Sequence, residues 1–336
     1  MSRLEGRLRS YCRSVSNLDL APDETVCTGP ADGSTGPMHE LLVGREVMLG
    51  PRGMEVTRTL PHRDRRMIGA WCFVDAYGPE NVVGGAGMQV PPHPHTGLQT
   101  VSWLVGGDVL HRDSLGNRQL VRPGQLNLMT AGRAISHSEE SPADRPPILH
   151  GVQLWVALPD RDRGVEPHFE HHADLPVLTD DGVSTTVIMG ELGAASSAAR
   201  TYSPLVGAEV TLAADVATTL PLRPDYEYGA LVLSGGVLVD DVALGRGPLL
   251  YLGSGRPELT LRTGHPSRLL LIGGEPFDEQ IVMWWNFVGR DHDEIVRFRE
   301  EWESGRAFGT VFGSAGKRLP APPLPNSRLR PRGRMP

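Results

Sequence analysis

The sequence predicts an all-β chain built as two antiparallel β-barrels of jelly-roll type, with one short helix near the C-terminus. Three observations carry this. Gly 40 and Pro 29 cut the chain into short runs, the pattern of strands joined by tight turns. The runs fall into two series with the same rhythm, and each series contains a long strand that enters a Gly-Gly turn, at 104–109 and at 233–238. A single segment, HDEIVRFREEWESG, spaces its apolar residues Ile295, Phe298 and Trp302 as a helix does.

In chain order, residues 1–45 mix Gly, Ser, Pro and charge without clear periodicity and read as an extension. Residues 46–160 form the first barrel. Runs such as GAWCFVDAYG, TGLQTVSWLVGGDVLHRDS, RQLVRPGQLNLMTAG, AISHSEES and GVQLWVALP are apolar or alternating and end at Gly, Pro, Asn or Asp. LVGGDV reads as strand, Gly-Gly turn, strand, and SLGNRQ as a hairpin turn. Residues 161–200 are polar and read as a linker. Residues 201–312 hold the second barrel, with runs such as AEVTLAA, YGALVLSGGVLVDD, PLLYLGSG and SRLLLIGG. They also hold the helix, for which Gly305 suits the C-terminal cap. Residues 313–336 read as a basic, Pro-rich, disordered tail.

The net charge is −7. The tail carries six basic residues (Lys317, Arg318, Arg328, Arg330, Arg332, Arg334) and no acid, so removing those six leaves −13 for the rest. So acidic a body excludes direct nucleic-acid binding. No apolar run is long enough to cross a membrane, and the first thirty residues lack the apolar stretch of a signal peptide. Cys12, Cys27 and Cys72 are odd in number and show no CxxC spacing, as expected of reduced thiols. The expected setting is cytoplasmic, as a monomer.

PPHPHTGLQT places His93 and His95 one residue apart in a strand-like run, and side chains at i and i+2 share a face. HxH alone occurs on many surface strands. Here a second pair answers it: GRAISHSEES places His137 and Glu139 at the same spacing, 44 residues after His93. Two strands facing one another across a small barrel would converge three imidazoles and a carboxylate. Nitrogen and oxygen donors of this kind suit Fe, Mn, Ni, Cu or Zn, whereas a thiolate-preferring site would use Cys. Crowded imidazoles resist protonation side by side, and a bound cation relieves that conflict. His111, His150, His168, His171, His172 and His265 have no comparable partner pattern and read as surface or satisfied histidines.

The stretch HPHTGLQTVSWLVGGDVLHRDSLGNRQLVRPGQLNLMTAGRAISHSEE closely resembles the pirin family of the cupin superfamily, through HPHxG, HRDSLGN, the RPG turn, MTAGR and HSE in that order. QLWVALP and GGEPFDEQIVMWWNFVGRDHDEI resemble later family segments, so the resemblance covers about residues 46–312. It implies a bicupin in which only the N-terminal barrel holds iron, one Fe(II) per chain, with His93, His95, His137 and Glu139 as ligands. Where a second HxH would fall, the chain reads PDYEYGALVL: Asp225, Tyr226, Glu227 and Tyr228 offer no imidazole.

The chain departs from the family pattern at two places. Gln99 stands where cupins carry a glutamate, which would lower negative charge near a metal. Ala134 stands where the family tends to have Gly, a position strained if its φ is positive.

The resemblance implies two functions. One is a dioxygenase acting on a flavonol such as quercetin with dioxygen, in which Glu139 acts as ligand and base and Met88, Trp103 and Met129 form the apolar wall. The other is a non-enzymatic, redox-responsive iron-binding regulator of a transcription factor or metabolic enzyme, with a protein partner.

Overall fold

The computed structural model describes residues 36–48 and 54–331. Two double-sheet β units stack on each other. In the first, a seven-stranded antiparallel sheet runs in the order His168–His172, Leu126–Thr130, Leu98–Gly106, Ile148–Ala157, Trp71–Asn81, Glu55–Leu60, Arg45–Met48. Facing it is a four-stranded sheet in the order Gln89–His95, Ile135–Glu140, Val109–Asp113, Arg118–Val121. The second unit repeats the plan. A large sheet is built on Glu227–Ser234, Ser267–Gly274 and Leu205–Leu212, and a four-stranded sheet contains Glu258–Thr263 and Val237–Val239. This is the all-β bicupin that the sequence predicts.

Both Gly-Gly turns do the same job. Leu98–Gly106 lies in the large sheet of its barrel and Val109–Asp113 in the small one. Glu227–Ser234 and Val237–Val239 are divided in the same way. The turns therefore carry the chain across the barrel and do not close a hairpin. Gly107 takes φ +89°, and a Cβ there would lie 2.6 Å from the Ile148 carbonyl oxygen, so only glycine fits. SLGNRQ is a true hairpin, since Val109–Asp113 pairs with Arg118–Val121.

The large sheets pack against each other, which buries both faces of Leu98–Gly106 along most of its length. Val101, Trp103, Leu126 and Leu154 of the first barrel share a core with Ile188, Leu205, Leu231 and Ile272 of the second. Four hydrogen bonds from three donors pin this interface. Trp71 Nε1 donates to the Val206 and Gly273 carbonyls at 3.2 and 3.1 Å. Trp103 Nε1 donates to Glu209 Oε2 at 2.7 Å, and the Gly69 amide donates to Glu227 Oε1 at 2.7 Å.

Helix His292–Glu303 is capped by Asp291, whose carboxylate accepts from the Glu294 amide. It buries Ile295, Phe298 and Trp302. Gly305, φ +72°, follows its end.

Three stretches differ from expectation. Residues 161–200 are not a free linker: His168–His172 forms the edge of the first barrel's sheet, and Val177–Asp180, Val183–Leu192 and Ala195–Ser196 belong to the second. In the N-terminal extension, Pro37–Leu42 pairs with Leu249–Gly253 of the second barrel.

The tail is packed over 313–331. Leu319 donates from its amide to the Pro92 carbonyl and accepts from Trp302 Nε1. Arg318 lies 3.6 Å from the Trp302 ring centroid, and Ala321 and Leu329 are buried. Scattered apolar residues and backbone hydrogen bonds hold this segment, so no periodicity announces it. Arg332, Arg334, Cys12 and Cys27 lie outside the described residues; Cys72 is buried, with its thiol donating to the Trp155 carbonyl at 3.6 Å.

Candidate metal centre

The strand Gln89–His95 sits at the edge of the small sheet. An edge tolerates Pro91, Pro92 and Pro94, which have no amide hydrogen to give. Its alternation points His93 and His95 to one face. Strand Ile135–Glu140 pairs with it, placing His137 opposite His93, and a register shift follows between His137 and Glu139. On its other side, the same strand sets Glu139 opposite His111 and His137 opposite Asp113. Residues opposite one another share a face, so pairing alone gathers these side chains.

The three predicted imidazoles converge. Ring centroids lie 4.4 Å apart for His93–His137, 4.9 Å for His93–His95 and 5.0 Å for His95–His137. Their ligand atoms fall within 4.8 Å of one another. Nε2 of His95 and Nε2 of His137 are 3.1 Å apart. His93 Nδ1 donates to the Pro91 carbonyl at 2.9 Å. That bond fixes the tautomer and leaves Nε2 bare, buried and without a partner. Burial pushes the His93 pKa down to about 4. His95 and His137 sit well below the usual histidine value, first through burial and then through repulsion from neighbouring imidazoles. The cluster is therefore neutral and rich in lone pairs, which suits a first-row cation.

Glu139 joins differently. Its carboxylate groups with His137 and His111, not with all three predicted histidines. Ser102 Oγ donates to Glu139 Oε1 at 2.9 Å. Burial raises the Glu139 pKa, opposed by His111 and the Ser102 hydrogen bond.

His111, expected to be an ordinary histidine, belongs here. It is buried, its Nδ1 lies 3.4 Å from His137 Nδ1, and its Nε2 lies 3.2 Å from Asp113 Oδ2. Burial raises Asp113, but hydrogen bonds from His111 and Asn117 outweigh it and hold the carboxyl below its usual value. A signal for His111 was present in the sequence: VLHRD is a third i, i+2 pair, His111 and Asp113.

Gln99 does not face the imidazoles. Its Nε2 donates to Thr130 Oγ1 at 2.9 Å and to the Arg200 carbonyl at 3.0 Å, in the connection between the barrels. The expected effect of Gln99 on charge at the metal therefore has no structural basis. Ala134 is unstrained, because the left-handed residue of that turn is Gly132 at φ +51°, where a Cβ would lie 2.0 Å from the Val165 carbonyl oxygen.

Of the three apolar wall residues, Met129 packs with Trp155, whose ring meets that of His95 at 5.1 Å. Trp103 fills the core between barrels and Met88 a separate cluster with Tyr77 and Val90. In the second barrel Glu227 is committed elsewhere, accepting from Gly69 N and from Tyr251 Oη. Among the described residues, both groupings of metal-ligating side chains lie in the first barrel.

Comparison with known proteins agrees with this geometry. The family model described as Pirin matches residues 53–156, and the Pirin C-terminal cupin domain model matches 207–308. A Pseudomonas aeruginosa protein with the provisional name quercetin 2,3-dioxygenase is 48% identical over 274 residues, covering 81% of this chain and 87% of its own. Human pirin is 30% identical over 272 residues, covering 78% and 91%. A crystal structure of quercetin 2,3-dioxygenase from Acinetobacter baumannii superposes with a TM-score of 0.84 at 42% identity, covering 87% of this chain and 97% of that one.

Proposed function

The chain belongs to the pirin family, and on that premise we propose that it is a mononuclear iron dioxygenase that opens flavonols such as quercetin. His93, His95, His137 and Glu139 would hold one Fe(II), with Mn, Ni, Cu or Zn as substitutes. The observation that carries this is the neutral, buried trio of imidazoles with a bare Nε2 on His93. Likeness to the Acinetobacter enzyme supports the substrate class.

A bound ion supplies Lewis acidity and one-electron chemistry at this point. The chain's own residues do the rest. Pro91 and Asp113 orient His93 and His111 through their second ring nitrogens. Ser102 holds Glu139 by Oε1, leaving Oε2 to take the proton of a substrate hydroxyl. A carboxyl raised by burial is a better base than a solvated one. The buried walls keep water from the reacting groups.

Oxygen uptake by iron-replete protein with quercetin tests the reading. Flavonol-dependent consumption is the expected result. If no flavonol supports it, the redox-responsive regulator takes its place.

A further inference from the structure

The large sheet of the first barrel turns a band of polar side chains toward the metal centre. Cross-strand register runs Arg58–Asp75–Gln153–Ser102–Asn127–His171, over six strands. Two residues further along each of five of these strands, on the same face, lies a second row: Phe73, Trp155, Thr100, Met129 and Phe169. Three contacts show that this face looks at the metal-bearing sheet. Ser102 bonds Glu139, Trp155 meets His95, and Phe169 stacks on His111 at 4.5 Å.

The polar row is closed at one end and open in the middle. Arg58 and Asp75 satisfy each other through two 2.8 Å bonds. Asn127 Oδ1 meets His171 Nδ1 at 2.7 Å, but its Nδ2 has no partner. Ser102 has one proton and two acceptors in reach, Glu139 Oε1 and Gln153 Oε1. In either orientation of the Gln153 amide, one end is left bare. Trp155 Nε1 is a third unpartnered group. All three residues are at most 4% exposed. Each such group costs stability unless something pairs with it. Three on one face beside a ligand cluster call for a partner that arrives with the substrate. In the adjoining row Trp155 stacks on Phe73 with centroids 4.0 Å apart, and the Arg58 guanidinium lies over the Phe73 ring at 4.4 Å, so the indole is held flat and in place.

We propose that Asn127, Gln153 and the Trp155 indole N–H are the substrate-binding groups of this barrel, selecting a flat aromatic molecule that carries several oxygens at its ring edges. The proposal rests on the placement of the reaction at the imidazole cluster, and it names residues that recognise the ligand independently of turnover. A hydroxyl suits every one of these positions, since it both donates and accepts.

Equilibrium binding to the full-length, iron-replete protein tests it, using quercetin and the unsubstituted parent flavone as probes. Iron content and melting temperature are measured on each sample. Wild type should prefer quercetin by about tenfold or more, the value of one or two net hydrogen bonds. Gln153→Met, Asn127→Leu and Trp155→Phe should each weaken quercetin several-fold and leave flavone within about twofold.

Trp155→Phe keeps the ring and removes one N–H, so it decides the matter if Gln153→Met does not fold. An unchanged quercetin-to-flavone ratio in Trp155→Phe and Asn127→Leu overturns the proposal, as does wild type that binds neither compound. Selective quercetin binding without oxygen uptake would retire the dioxygenase and leave this assignment standing.

Discussion

His95 and His137, on adjacent antiparallel strands, hold their Nε2 atoms 3.1 Å apart with both rings sealed from water. Two imidazoles so placed cannot both be charged, and each turns a nitrogen toward the same point. His93 adds a third, with its other nitrogen fixed on Pro91. This arrangement costs stability in the metal-free chain and is repaid when a cation arrives.

That cost has a pH signature. His93, His95, His137 and also His150 have folded pKa values below the usual 6.5, His93 and His150 at about 4. Above pH 7 both folded and unfolded forms are neutral and the shift contributes nothing. Below about 6.5 the unfolded chain binds more protons, so stability falls as pH drops toward 4, by up to about 1.4 kcal/mol per pH unit for each histidine. The carboxyls of Glu139, Asp75 and Glu80, raised first by burial, act in the opposite sense, against these histidines together with His171, which is lowered as well. Urea unfolding of the metal-free protein should show its midpoint falling from pH 7.5 to 5. A flat midpoint would mean that the imidazoles are solvated.

Removing residues 313–336 should destabilise the protein. Leu329 is 2% exposed, and Leu319 links Pro92 of the His93 strand to Trp302 of the helix. Loss of one such apolar side chain is worth about 1.5–3 kcal/mol, so thermal melting should drop by several degrees. An unchanged melting temperature would show that the segment is not packed in solution.

Gln99→Glu should not tune the metal. It would turn the donor to the Arg200 carbonyl into a buried acceptor facing it, with only the Thr130 hydroxyl able to turn and donate. The expected outcome is a loss of about 1–3 kcal/mol in denaturant unfolding, with metal content kept. A variant of full stability that changes the metal's spectrum would place Gln99 at the centre after all.

Glu139→Gln should slow flavonol-dependent oxygen uptake by about 10²–10⁴-fold, the usual worth of a general base. Iron is measured in the same sample, since the carboxylate also sits with His111 and His137. Wild-type rates at full iron occupancy would remove Glu139 from the chemistry.

Much of this centre was legible in the sequence because it rests on local spacing. His93 with His95 and His137 with Glu139 each share a face by alternation alone, and Ile295, Phe298 and Trp302 announce the helix. What depended on partners was hidden. HFEHH carries polar residues at every second position, so its place as an edge strand beside Leu126–Thr130 shows only in the pairing. The inward row from Arg58 to His171 draws one residue from each of six strands, and no single segment displays it. His111 shares its face with Asp113 by the same i, i+2 spacing, but its approach to His137 and Glu139 comes from pairing with a neighbouring strand.

Metal stoichiometry tests the central claim most directly. Elemental analysis of the full-length protein, wild type and His93→Ala/His137→Ala, should find one first-row ion per wild-type chain and almost none in the double variant, which removes two of three converging imidazoles. Full occupancy in that variant, or two ions per wild-type chain, would contradict the site.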